Sequence, residues 1–242
     1  MIEVKDLTKN YGSIAAVQGL SFEIGKGEIV GFLGPNGAGK STTMRILTGF
    51  FPASRGTARI AGFEVHAEPL EVKKRVGYMP ERVPLYDEMT VSAFLEYAGT
   101  IKGVAKKDLR AETERVAERC GLADMRPRLI RNLSKGYRQR VGLAQALIGS
   151  PPVIILDEPT AGLDPKQIVD IRQMIKELGK EHTILLSTHI LPEVQMVCER
   201  VIIIHRGRLV TQARMEELTG AGGRTLEDAF MAAISSEAEV AA

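Results

Sequence analysis

Tryptophan is absent from the 242 residues, and aromatic residues make up only 5% of them. Few flat apolar side chains are therefore present to interleave with bases, and a single-stranded nucleic-acid platform is not expected. The formal net charge of +2 supplies no overall field for a polyanion or an anionic membrane. Only two cysteines occur, Cys120 and Cys198, far apart and in no CxxC pair. They read as small buried hydrophobes in a reducing compartment, with no disulfide or metal role. Long apolar runs are missing as well. Val153 to Leu156 and Val201 to Ile204 fall far short of the roughly 18 residues that mark a membrane span. The opening MIEVKDLTKNYG has no basic stretch followed by an apolar core, so no signal peptide is expected. If the chain works at a membrane, other chains do the crossing. Heptads and internal repeats are also lacking, and the Ala/Glu-rich tail after Ile234 is expected to fray.

What remains is ordinary globular material, 44% hydrophobic and 26% charged, enough for one substantial core carrying a smaller lobe. Short β-branched runs alternate with longer amphipathic stretches, the pattern of an α/β protein. Glu28 to Leu33, Val153 to Asp157, Thr183 to Ser187, Val201 to Ile204 and Arg208 to Thr211 read as strands, the last pair joined by an Arg206-Gly207 turn. Gly39 to about Thr48 and Pro165 to Leu178 read as helices, the second with Asp164 as N-cap and proline at its first position. In the middle third, Val91, Phe94, Leu95, Ala98 and Ile101 recur at helical spacing. Leu109, Thr113, Val116, Ala117 and Cys120 do the same, closed by Gly121 as a C-cap. The expected organisation is an α/β core from 1–81 and 150–220, an inserted helical lobe at 82–149, and a C-terminal helix and tail at 221–242. From Lys102 to Arg140 the lobe carries twelve Lys/Arg against five Asp/Glu, read as a solvated basic surface.

GPNGAGKS, Gly34 to Ser41, fits G-x-x-x-x-G-K-[ST] between a strand and a helix. Gly34, Gly37 and Gly39 allow backbone angles that turn successive N–H groups inward, and the helix that follows offers its unpaired N–H groups to phosphate. Lys40 is placed to reach the β- and γ-phosphates of a nucleotide, and the Ser41 hydroxyl to ligate Mg²⁺.

VIILDEPT, Val153 to Thr160, is an apolar strand ending in adjacent carboxylates. Ligands of parallel sheets gather at the carboxyl ends of strands, so Asp157 is expected to hold Mg²⁺ opposite Ser41. Glu158, diverging from it, is expected to polarise the water that attacks the γ-phosphate. His189, after the strand at Thr183 to Ser187, is a third polar group at that edge, suited to bind the γ-phosphate and orient Glu158 or the water. LSKGYRQR, Leu133 to Arg140, puts Ser134 and Gly136 at a helix start, a second anion site. One chain has no need of two γ-phosphate sites. A symmetric pair, each chain's Ser134 loop closing the other's nucleotide, is the economical arrangement.

Taken in order, GPNGAGKS, LSKGYRQR, ILDEPT, Gly162 to Asp164 and STH make the chain resemble the ATP-binding subunit of an ABC transporter, from near the start to about residue 220. The resemblance implies a P-loop NTPase core with a mixed sheet, N-terminal antiparallel β elements and an inserted helical subdomain. It implies that ATP is contacted by Tyr11, stacked on adenine, by Gly34, Pro35, Asn36, Gly37, Ala38, Gly39, Lys40, Ser41 and Thr42, and by Ser134, Gly136 and Asp164. It also implies a head-to-tail dimer with a second copy or a paralogous ATPase subunit, and transmembrane permease subunits that hold the chain at the cytoplasmic face of the membrane. Nucleic acid is not an expected partner. YMPERVPLYDEMT and the ending LEDAFMAAI resemble subunits of ABC-2-type exporters. Two positions depart from the family. Glu81 stands where glutamine is usual, and is expected to offer its oxygen to Mg²⁺ and water with an added charge. Lys135 stands where the signature more often has glycine. A soluble ATPase of this family acting on nucleic acid or ribosomes, and an ATP-dependent clamp that does not hydrolyse, are the competing readings. The first usually needs tandem domains or a long coiled coil, and intact Glu158 and His189 argue against the second.

Overall fold

The computed structural model describes residues 1–219 and 225–232. The tail after Ile234 lies outside the described residues.

In chain order the elements are β1 (Ile2–Tyr11), β2 (Ile14–Ile24), β3 (Ile29–Leu33), α1 (Lys40–Leu47), β4 (Arg55–Ile60), β5 (Phe63–Glu64), α2 (Pro69–Arg75) and β6 (Val76–Met79). Then follow α3 (Val91–Ile101), α4 (Leu109–Arg119), α5 (Lys135–Leu147), β7 (Val153–Asp157), α6 (Pro165–Gly179), β8 (Thr183–Thr188), α7 (Leu191–Val197), β9 (Arg200–His205), β10 (Arg208–Arg214) and α8 (Met215–Thr219). Residues 226–232 are helical. Four strands form an antiparallel sheet in the order β2-β1-β4-β5, and six form a mixed sheet in the order β10-β9-β3-β8-β7-β6. Among the described residues, only the β9–β10 pair of the second sheet is antiparallel. Arg206 and Gly207, both at positive φ, make its turn as expected.

The central strands β3, β7 and β8 are buried at every residue, which is why they read as continuous apolar runs. Their alternate side chains feed two cores on opposite faces. Ile154, Leu156, Ile184 and Leu186 join the helices α3 to α7, while Val153, Ile155 and Leu185 join α1 and the antiparallel sheet. β7 and β8 end together, with Asp157 opposite Ser187, and β3 ends with Leu33 opposite Thr188. That register delivers three loops to one edge.

Helices α3, α4 and α5 occupy the chain between the adjacent parallel strands β6 and β7. Val91, Phe94, Leu95 and Ala98 face the core, but Ile101, expected on the same stripe, is 68% exposed, because the helix ends there and its last turn passes beyond its neighbours. α4 closes at Gly121 with φ +63°. Asp164 caps α6 by accepting from the Gln167 N–H at 3.0 Å.

The lobe meets the sheet backbone to backbone. A Cβ on Gly77 of β6 would lie 2.0 Å from the Ala146 carbonyl oxygen of α5, so no other residue fits without separating them. Lys102, just past α3, donates to the Val76 carbonyl at 2.8 Å, and burial pushes its ammonium down to about 8 from 10.5. Gly77→Ala is expected to destabilise the protein by about 1–3 kcal/mol, read as a lowered midpoint in urea. For Lys102 the folded state prefers the neutral amine, so the unfolded chain binds more protons between pH 8 and 10.5. Raising pH through that window should therefore stabilise the wild type relative to Lys102→Met; a constant difference between the two melting curves would show the amine to be solvated.

Candidate functional site

Gly37 and Gly39 hold φ of +80° and +103°, so the loop between β3 and α1 takes angles that other residues resist. Gly34 is needed for a different reason: a Cβ there would meet the Ile204 carbonyl oxygen at 2.5 Å. α1 starts behind Gly39 with no side-chain cap, leaving its first N–H groups available to an anion. Asn36 through Thr42 line a cavity of about 370 Å³, walled further by Ala16, Glu81, Glu158, Ala161 and His189.

Lys40 is 6% exposed, and its ammonium folds back on the loop, donating to the carbonyls of Gly34 at 2.7 Å and Pro35 at 3.3 Å. Burial pushes its pKa down, while the Glu158 and Asp157 carboxylates hold it up. Glu158 follows the end of β7 at φ +51°, a left-handed conformation that a non-glycine residue adopts only where its surroundings enforce it. Its Oε1 lies 2.8 Å from His189 Nδ1 and 3.7 Å from Lys40 Nζ. Glu158 is buried, while the His189 side chain is 47% exposed and borders the cavity from outside.

Asp157 is buried, and that burial pushes its carboxyl pKa up. Its Oδ1 has no hydrogen-bond partner among the described residues. A buried oxygen of this kind beside a serine hydroxyl suits a hard divalent cation. Among the described residues no group of three or more His, Cys, Asp or Glu side chains is placed to hold a metal by itself. Ser41 and Asp157 thus fit an ion that takes its remaining oxygens from phosphate and water, as Mg²⁺ does.

Other expected site residues lie elsewhere. Tyr11 ends β1 and is not part of the cavity wall; it is 42% exposed, edge-on to Phe51 at 6.2 Å, with Lys9 Nζ 5.3 Å from its ring centre. Ser134 caps α5, its hydroxyl accepting from the Tyr137 N–H at 3.4 Å. Gly136 is packed on Gln167 so closely that a Cβ would lie 2.6 Å from that side chain. The Lys135 ammonium lies over Gly162. Ser134, Gly136 and Asp164 do not line the cavity that the phosphate loop forms. A second cavity of about 370 Å³ touches Lys135, Arg138 and Gln139 and shares Glu81 and Ala161 with the first.

Behind Glu158 lies a buried set that the sequence did not reveal. Thr188 Oγ1 is 2.8 Å from Glu193 Oε2 and 3.4 Å from Glu158 Oε2, and Thr160 Oγ1 bonds Glu193 Oε1. A single glutamate two residues into α7, after a proline, carries no pattern that would mark it.

The profile of the family described as ABC transporter matches residues 17–161. The chain is 38% identical over 224 residues to the ABC transporter ATP-binding protein NatA of Bacillus subtilis (strain 168), covering 90% of this chain and 91% of that one. It is 38% identical over 229 residues to the bacitracin transport ATP-binding protein BcrA of Bacillus licheniformis, covering 94% and 74%. Among solved structures it superposes on an ATP binding subunit of an ABC transporter with a TM-score of 0.87 at 30% identity, covering 97% of this chain and 99% of that one. It matches a dimeric ATP-binding cassette in a post-hydrolysis state, bound to ADP and Pi, with a TM-score of 0.80 at 25% identity, covering 89% and 99%.

Removing the ammonium in Lys40→Ala is expected to weaken binding of a fluorescent ATP analogue about ten- to a hundredfold, the cost of charged hydrogen bonds. An unchanged Kd would mean that this loop does not hold the phosphates.

Proposed function

The chain belongs to the ABC transporter family, as an ATP-binding and ATP-hydrolysing subunit, and from that premise we propose how its residues share the chemistry and where the energy goes. The inward N–H groups from Gly34 to Thr42 hold the phosphates of ATP, and Lys40 leaves the Gly34 and Pro35 carbonyls for the β- and γ-phosphate oxygens. Ser41 and Asp157 hold Mg²⁺, with Glu81 offering an oxygen from the cavity wall. When bound, that ion neutralises charge that develops on the phosphate oxygens. Glu158 accepts a hydrogen from the attacking water and aims its lone pair at the γ-phosphorus. His189 fixes the Glu158 carboxylate and adds a donor toward the γ-phosphate. The observation that carries this assignment is the Glu158 carboxylate held between His189 and Lys40 at one wall of the loop's cavity.

Residues 1–81 and 150–220 form the ATP-binding core in this reading, and 82–149 the signature lobe. Ser134, Gly136 and Asp164 act on the ATP of a second subunit, a copy or a paralogue, in a head-to-tail pair. Their position off the first cavity supports this, as does the dimeric assembly of the post-hydrolysis cassette that the chain resembles. Tyr11 stacks on adenine from the outer end of β1. The energy passes to a separate permease that exports a substrate, a reading supported by likeness to BcrA, whose name assigns it to bacitracin transport. Among the described residues no helix is long and apolar enough to cross a membrane. Likeness to transporter ATP-binding proteins supports a place at the cytoplasmic face through that permease. The second cavity, lined by Arg82, Val83, Leu85, Lys135 and Arg138, is the surface for it, since Glu81 borders both that cavity and the ATP site.

Glu158→Gln is expected to bind ATP, fail to hydrolyse it, and elute as a dimer on size exclusion with Mg-ATP. A monomer under those conditions would sink the paired-site arrangement.

A further inference from the structure

Glu193 is 1% exposed in a region where nothing in the hydrolytic scheme requires a carboxylate. Its two oxygens are divided between two loops. Oε1 accepts from Thr160, in the turn that follows Glu158, and lies 3.9 Å from Arg172 Nη2 on α6. Oε2 accepts from Thr188, the residue before His189, at 2.8 Å. The same Thr188 oxygen is 3.4 Å from Glu158 Oε2 and accepts from the Ile190 N–H at 3.1 Å. A threonine hydroxyl has one hydrogen. Two carboxylates therefore compete for it, and the shorter distance gives it to Glu193.

We infer that Glu193 is a positioning residue for ATP hydrolysis, which keeps Glu158 Oε2 free for water by taking the Thr188 hydrogen and pins the Glu158 turn to α7 through Thr160. The first role concerns occupancy. His189 already engages Oε1 of Glu158, so Oε2 is the oxygen left to accept from the attacking water. A hydroxyl donating to Oε2 would take one of its two acceptor positions, lower its basicity and pull the water off line. The second role concerns backbone geometry. Glu158 holds φ +51° without being glycine, and Thr160, 2% exposed, ties its turn to α7 through Glu193. The inference rests on Glu158 acting on water as proposed above.

Glu193→Gln tests it because the amide has an orientation imposed on it. Arg172 favours the carbonyl oxygen on the Thr160 side, which turns the NH₂ toward Thr188. That NH₂ donates to the Thr188 oxygen, and the hydroxyl hydrogen is pushed onto Glu158 Oε2. Steady-state ATPase assays should then show kcat lowered about tenfold or more with KM for ATP within about twofold. Adding Thr188→Val removes the misdirected hydroxyl, so the double variant should recover activity over Glu193→Gln alone, the opposite sign from two independent packing defects. Wild-type kcat in Glu193→Gln, or losses that simply add in the double variant, would overturn the proposal. Should Glu193→Gln not fold, Thr160→Val cuts only the tie to the turn. It is expected to lower kcat at unchanged KM, and a wild-type kcat there would overturn the proposal equally. Glu158→Gln run alongside separates the two readings. If it hydrolyses ATP like the wild type, the role of Glu158 is wrong. If it is inactive while Glu193→Gln is fully active, only the role of Glu193 is wrong.

Discussion

Parallel pairing of β3, β8 and β7 in one register is the constraint on which the site depends. Each strand ends within a residue of the others, and each is followed by a polar loop with nowhere to go but the same edge. The glycine loop, the Glu158 turn and His189 are remote in sequence and adjacent only because the three strands stop at one level. The cost of gathering a cation and two carboxylates there is visible in the opposed shifts of Lys40 and Asp157, each driven by burial toward its neutral form. In the proposed scheme, bound phosphate and a divalent ion would reverse that cost by satisfying charges that the protein alone leaves under-compensated.

Much of this was legible in the sequence, and for physical reasons. The phosphate loop is contiguous, so its glycines, lysine and serine are read in one window; Asp157 and Glu158 are marked by the apolar strand before them. The central strands stand out because burial on both faces leaves no room for polar alternation. Ile101 kept the helical spacing yet emerged into solvent, since period says which side of a helix a residue is on but not how far its neighbours extend. Glu193, Thr188 and Thr160 were invisible for a deeper reason. Their meaning lies in hydrogen bonds between separate segments, and each residue type alone is commonplace on a surface. Tyr11 is marked only by resemblance, and its place beside Phe51 cannot be read from spacing.

The two departures from the family pattern, Glu81 and Lys135, turn out to line the same cavity. A carboxylate in place of an amide adds a negative charge to that wall, and a lysine in place of glycine adds a positive one. Considered separately each would alter the local field; placed around one hollow they offset each other. Arg138 nearby is engaged by Asp87 at 2.7 Å, which leaves Arg82 and Lys135 as the cations of that lining placed to answer Glu81.

The contact between Gly77 and Ala146 joins these regions mechanically. β6 runs from that contact toward Glu81, and α5 runs from it back to Ser134. Because main chain rests on main chain with no side chain between, the strand and the helix behave as two arms of one stiff lever. Val83, two residues past Glu81, packs on Gly142 of α5, so the Glu81 loop also rests on the helix that Ser134 caps. The smallest residue in the protein thus sets how closely the strand that leads to Glu81 and the helix that Ser134 caps can approach.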